Sequence, residues 1–335
     1  MQAINEYSGL SPSQEEFKHE ILATKHPLVF RNLVAQWPLV KLAKQSNEQA
    51  IQAIANQATD FPCYTVVAPP DARGRLFYSD DLTGLNFKSV SADLPSTLQH
   101  LLGMAELTDP HAVSVQAASV KDCLPGFQQS HPLTLVDSSV EPTLWISNRS
   151  RVAAHFDLND NIACVTTGRR RFTLFPPEQA PNLYPGPTLN SPGGVPTSMV
   201  DLRSPDLVQF PRFEIALENA MFAELAPGDA IFIPSPWWHS VESLDSLNVL
   251  VNYWWNTFLE EPGPSANNSM MLSMMTIAKM DEPQRLAWKA LFDYFVFKTS
   301  GDPSEHLPAE INDLATELTN EQKSECFAFL RDKII

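Results

Sequence analysis

Between residues 140 and 257 the chain breaks into short β-rich runs. TLWISN, ACVTT, RRRFTLF, DAIFIP and NVLVNYWW are rich in β-branched and aromatic residues and are separated by turn chemistry. Thr167-Gly168 and Pro227-Gly228-Asp229 are the clearest turns. This pattern predicts a mainly β core. The stretch 176–212, with PPEQAPNLYPGP and NSPGGVP, is too long for a hairpin loop and reads as an insertion draped over that core.

The flanks read differently. Before the β region the pattern is mixed. SPSQEEFKHEILATK is predicted to be a helix opened by Ser11 or Ser13, with acidic residues in its first turn. NEQAIQAIANQA and LPSTLQHLLGM are further helices, and PLVFRNL, PCYTVVA and AVSVQAA are strands. After Pro264 the pattern is helical: SMMLSMMTIAKM, EPQRLAWKALFDYFVFK and the C-terminal segment. Five of the nine methionines lie between Met270 and Met280, and methionine is an adaptable residue at interaction surfaces. A helix apolar around much of its circumference, such as LAWKALFDYFVF, needs cover on more than one side. The expected organisation is one domain over residues 1–260, with its core at about 110–257, and a helical region over 265–335 that joins two copies into a homodimer. The other reading is that these helices pack only on their own β core.

Composition narrows the function classes. Hydrophobic content of 44% supports a sizeable core. No apolar run approaches the ~18–20 residues needed to span a bilayer, so no membrane partner is expected. The N-terminal segment has neither a basic nor an apolar signal region, and a cytoplasmic location is expected. Cys63, Cys123, Cys164 and Cys326 are scattered without a CxxC, which argues for free buried thiols over a cysteine-bound zinc. A net charge of −16 repels phosphate backbones, and nucleic acid is not an expected partner.

Two histidines and one aspartate carry the chemistry. In a strand, residues i and i+2 project to the same side, so His155 and Asp157 can hold one ion, with Phe156 facing away. His239 arrives from a different strand, after the Pro227–Asp229 turn, the AIFI run and Pro234-Ser235-Pro236. Three such ligands leave positions of a non-haem iron open, whereas a structural zinc site is closed by four. HxD alone is a common accident. The PGDxxFIPxxWWH segment is the better witness, its bland reading being a turn, a strand and a surface histidine.

In RRRFTLF the alternation places Arg170 with Phe172 and Leu174. A guanidinium among apolar neighbours needs an anion, either a carboxylate of the protein or the distal carboxylate of a ligand. Asn161 and Asn252 lie in apolar strands, where a buried amide must find partners. They serve either a bound cosubstrate or the tying of strand to strand. Trp237, Trp238, Trp254 and Trp255 read as core or pocket wall.

The segments AAHFDLNDNIACVTTGRRRFTLFPP, LAPGDAIFIPSPWWHSVE and NVLVNYWW, in this order and spacing, resemble the JmjC and cupin-like Fe(II)/2-oxoglutarate oxygenases. The likeness is to the branch that includes the asparaginyl hydroxylase acting on hypoxia-inducible factor, and to bacterial cupin-like proteins. It extends over residues 25–257, more weakly before 140, where PLVFRNLVAQWP fits the family's N-terminal lead-in. The resemblance implies a double-stranded β-helix (jelly-roll) core with N-terminal α/β elements and a C-terminal helical bundle. It implies Fe(II) held by His155, Asp157 and His239. It also implies 2-oxoglutarate held with the help of Arg170, Asn161, Asn252, Ser114 and Trp254. Arg170 stands where the family usually has lysine, Ser114 where some relatives have a tyrosine, and Val152 where they have a hydroxyl side chain. The implied reaction is hydroxylation of a protein side chain or small molecule, with release of succinate and CO2. Hydroxylation and demethylation share this iron chemistry, and the substrate is not written in the sequence. The alternatives are a non-catalytic or regulatory cupin-like protein that binds metal or ligand, or a different metal chemistry on the same barrel.

Overall fold

The structure is a computed structural model that describes every residue except 10, 257–264, 309–313, 315–317 and 335. The chain divides into two compact units, Met1–Glu261 and Pro262–Ile335.

The strands of the first unit are β1 (Gln2–Ala3), β2 (Leu28–Phe30), β3 (Pro62–Ala68), β4 (Arg75–Leu76), β5 (Lys88–Asp93), β6 (Ala112–Ser119), β7 (Pro142–Ser147), β8 (Arg151–Phe156), β9 (Asp160–Thr167), β10 (Arg170–Phe175), β11 (Met221–Leu225), β12 (Ala230–Ile233), β13 (Trp238–Ser243) and β14 (Asn248–Trp255). They form a six-stranded sheet in the order β1-β11-β10-β13-β8-β4 and an eight-stranded sheet in the order β2-β12-β9-β14-β7-β6-β3-β5. From β7 to β14 the chain passes back and forth between the two sheets, and only the β10–β11 connection stays within one. This is the double-stranded β-helix, a mainly β jelly-roll core with helical additions.

The residue pattern explains the layering. Every residue of β9 and β12 is buried. Strands covered on both faces read as unbroken apolar runs. Ile162 and Cys164 of β9, with Val249 and Val251 of β14, face a core shared with Leu39, Val40, Ile51, Ile54, Leu94, Leu98 and Leu101 of the covering helices. The alternate residues, Ala163, Val165 and Leu250, face Phe172, Leu174 and Ile231 between the sheets. Those helices start where capping chemistry places them: Ser46 and Asp93 accept the Gln49 and Ser96 amides. The first predicted helix is capped by Ser13 and runs through a π-helical turn at Phe17–Ile21. Cys63, Cys123 and Cys164 are buried free thiols, and Cys326 is half-buried.

Among the strands that periodicity missed are short and polar ones. β1 and β4 have two residues each, and β5 (KSVSAD) is a largely exposed edge strand. The 176–212 segment is bound to the core: the Ser198 amide donates to the Ala154 carbonyl at 2.7 Å, and Thr197 bridges His155. Gly186 and Met199 close this flap through bonds to Thr197 and Tyr184.

In the second unit, helices span Ala266–Met275, Glu282–Phe295 and Asn320–Ile334. Ser265 and Asn268 form a capping box, and Asp281 caps the next helix. No residue of the Ala266–Met275 or Glu282–Phe295 helix is buried, and Leu286, Trp288, Leu291 and Phe295 are exposed.

Candidate metal centre and cosubstrate cavity

Two neighbouring antiparallel strands build the metal end. His155 on β8 and His239 on β13 are directly paired in register, and their ring centroids lie 4.5 Å apart. Asp157 follows one residue beyond the end of β8. Its Oδ1 lies 3.8 Å from His155 Nε2 and its Oδ2 lies 3.6 Å from His239 Nε2. These separations exceed a hydrogen bond but suit one ion at about 2.0–2.2 Å from each atom. Each ring spends its other nitrogen on its own strand. His155 Nδ1 meets the Ala153 carbonyl at 2.9 Å and His239 Nδ1 meets the Trp237 carbonyl at 3.1 Å. Nδ1–H therefore donates, and the Nε2 lone pair is left for the ion. Burial, reinforced by the neighbouring His155, pushes His239 down to about 4, so its imidazole is neutral, as a ligand must be.

The turn after β8 is fastened to the approach to β13. Ser235 donates its hydroxyl to the Asp157 carbonyl and its amide to Asp160, both at 3.0 Å. Asp160 also takes the Lys25 ammonium at 2.8 Å. Phe156 faces away and packs edge-on to Trp238 at 5.1 Å.

The triad opens into a cavity of about 360 Å³ between the sheets. Arg170, Asn161, Asn252, Trp254 and Val152 line it. Arg170 is 6% exposed. Its Nη2 donates to the Trp145 carbonyl at 3.1 Å, and its Nε has no partner. No carboxylate of the described residues pairs with it, whereas Arg169 and Arg171 are answered by Asp245 and Glu224. Burial alone pushes Arg170 down to about 9. The sequence left open whether this arginine meets an acid of the protein, and among the described residues it does not.

Asn252 accepts from Trp145 Nε1 at 2.9 Å and from the Thr143 hydroxyl, and donates to Asn161 at 3.4 Å. The two amides thus tie strands together while facing the cavity. Trp254 lies edge-on to Trp145 at 5.6 Å, and its buried Nε1 has no partner. Trp237 and Trp238 are core, and Trp255 packs on Phe17 and Phe232. Ser114 is buried beneath the wall and accepts from Gln116 Nε2 at 2.7 Å. Gln116 itself lines the cavity. Sequence reasoning missed it, together with Tyr64, Phe87 and Thr197 at the wall. These residues come from strands and loops whose facing depends on long-range pairing.

The chain matches the model of the cupin-like domain over residues 13–261. The chain belongs to the cupin-like, JmjC-type family. This cupin-like chain is 36% identical over 133 residues to Lysine-specific demethylase JMJ31 of Arabidopsis thaliana, covering 39% of the chain and 24% of the relative. It is 39% identical over 116 residues to human HSPB1-associated protein 1, covering 34% and 23%. Against Lysine-specific demethylase 8 of Xenopus tropicalis it is 28% identical over 249 residues, covering 73% and 51%. The chain thus spans about half or less of these relatives. Among solved structures, Escherichia coli ycfD is similar with a TM-score of 0.44 and 13% identity, over 97% of this chain and 68% of that one.

Proposed function

We propose that the chain is an Fe(II)- and 2-oxoglutarate-dependent oxygenase that hydroxylates a protein side chain or a small molecule and releases succinate and CO2. The observation that carries this reading is the unanswered guanidinium of Arg170, in the same cavity as a three-donor cluster that can hold a metal ion. An uncompensated buried charge is expensive, and a ligand that brings a carboxylate relieves it. When bound, iron and 2-oxoglutarate would supply the oxidising chemistry. The residues present fit both. His155, Asp157 and His239 would hold the ion from one side and leave the positions facing the cavity free. Arg170 would take the distal carboxylate through Nε and its outer nitrogens. Asn161, Asn252 and Trp254 line the wall beside it. Substrate would enter past Tyr64, Phe87 and the Pro192–Gly193 part of the insertion, an uncharged approach. The exposed apolar side chains of the second unit support self-association as a homodimer.

Anaerobic titration tests the reading. Fe(II) with 2-oxoglutarate should give a visible charge-transfer band, absent in His155→Ala, and succinate should form once oxygen and substrate are admitted. A metal-loaded protein indifferent to 2-oxoglutarate would overturn the proposal. Failure to bind metal at all would favour the non-catalytic cupin-like reading.

A further inference from the structure

A second cavity, of about 400 Å³, lies on the outer face of the six-stranded sheet. Arg171 and Thr173 of β10 face it, while the alternate Phe172 and Leu174 face the interior between the sheets. Strand register aligns one charged row across five strands. Arg75 of β4 stands opposite Arg151 of β8, Arg151 opposite Glu242 of β13, Glu242 opposite Arg171 of β10, and Arg171 opposite Glu224 of β11. The 176–212 flap roofs this floor and adds Asp201 and Arg203. Most of the charges are answered. Arg171 pairs with Glu224, and its Nη1 lies 3.7 Å from Glu242. Arg203 also pairs with Glu242. Asp201 gives both its oxygens to Arg151 Nη1, at 3.0 and 3.2 Å. Four guanidiniums thus stand against three carboxylates, and the one left over is Arg75. It donates to the Met199 carbonyl at 3.1 Å and lies 3.6 Å over the Phe77 ring, and no carboxylate among the described residues pairs with it. Directly opposed like charges on neighbouring strands repel, so Arg75 beside Arg151 is a costly arrangement with nothing between them. Burial pulls Arg75 below the ordinary arginine value, and Asp201 makes up only part of the loss. In a chain of net charge −16 this corner is a local reversal of sign.

We propose that this outer cavity binds a small organic anion, with its phosphate or carboxylate head at Arg75 and Arg151 and its body under Val200 and Leu202 of the flap. A guanidinium pair suits such a head, because each fork can give two parallel hydrogen bonds to one anionic group. The space is several times what a bare phosphate fills, and the roof over it is apolar, which selects an organic body. The site is distinct from the metal cavity and does not depend on the oxygenase reading.

The experiment is calorimetric titration of the full-length protein with phenyl phosphate, phenylacetate and inorganic phosphate. At least one of the two aryl anions should bind saturably and more tightly than inorganic phosphate, and the tighter of them identifies the head. Arg75→Met should weaken that anion about tenfold, the worth of one hydrogen bond to a charged group, and Arg75→Lys should weaken it less. Arg170→Met, which removes the guanidinium of the metal cavity, should leave it unchanged. If melting shows that Arg75→Met disturbs the fold, Arg203→Glu carries the test: it reverses a charge at an exposed position on the rim and should weaken the anion about threefold. Four results overturn the proposal: neither aryl anion binds, neither binds better than inorganic phosphate, the folded Arg75→Met protein binds as the wild type does, or binding is lost in Arg170→Met, which would put the anion in the metal cavity.

Discussion

The two ends of the cavity are built by opposite means. At the metal end the donors come from paired positions of adjacent strands, each histidine is locked by its own backbone, and the turn bearing Asp157 is laced to Ser235. At the far end the one strong charge has no answering carboxylate among the described residues, and the amides that share its cavity, Asn252 and Gln116, are held by other neighbours. The metal end is thus complete in its geometry and needs only an ion. The far end carries an electrostatic debt that a ligand must settle.

The largest effect should come from breaking the metal end. Asp157→Ala removes the only carboxylate among the three donors, and iron binding at micromolar iron should be lost, as read by metal analysis after gel filtration. Next, Arg170→Met should separate ligand binding from stability. It should weaken 2-oxoglutarate by about a hundredfold, yet make the ligand-free protein about 1–3 kcal/mol more stable, because a buried unpaired charge has gone. Urea unfolding and titration of one sample check both signs, and a destabilised Arg170→Met would show that the charge is already compensated. Asn252→Ala leaves the Trp145 indole and the Thr143 hydroxyl without their acceptor, and should cost about 1–3 kcal/mol in chemical denaturation. The smallest effect concerns the second unit. Leu286→Asp on its exposed helix should leave oxo-acid binding untouched and turn a dimer into a monomer in light scattering. A wild-type monomer there would remove the case for self-association.

The difference between the ends also marks what could be read in the sequence. The triad was legible because ligand spacing in a strand is local: two residues apart means one face, and the Pro-Gly-Asp turn announced the second strand. Arg170 was legible for the same reason, through alternation with Phe172 and Leu174. Gln116 was not. In AVSVQAA alternation puts Gln116 on the side of Ser114, opposite Val113 and Val115, but nothing in the run shows which side meets the cavity, nor that Ala117 turns left-handed and the pairing with β7 slips by one. Ser114 was named because it stands where some relatives have a tyrosine, but it is the neighbouring Gln116, bonded to it, that lines the cavity. β13 was expected only as the strand that must bring His239, and its extent was not readable because WHSVES mixes polar and apolar residues on a half-covered strand. The jelly-roll order of strands is long-range information, and it came from the resemblance and not from periodicity.

The pairing of the 176–212 flap with β8 has a practical meaning for anyone wishing to retarget this scaffold. Thr197 and Ser198 are stitched to the strand that bears His155, so they form a fixed hem, and a slip of one residue there would turn Thr197 out of the cavity. The crest of the same loop is free: Leu189 is 74% exposed, and a Cβ at Gly193, which lines the cavity, would meet nothing within 4 Å. Diversity introduced at 189–193 would resample what the cavity admits while the ion's geometry stays put.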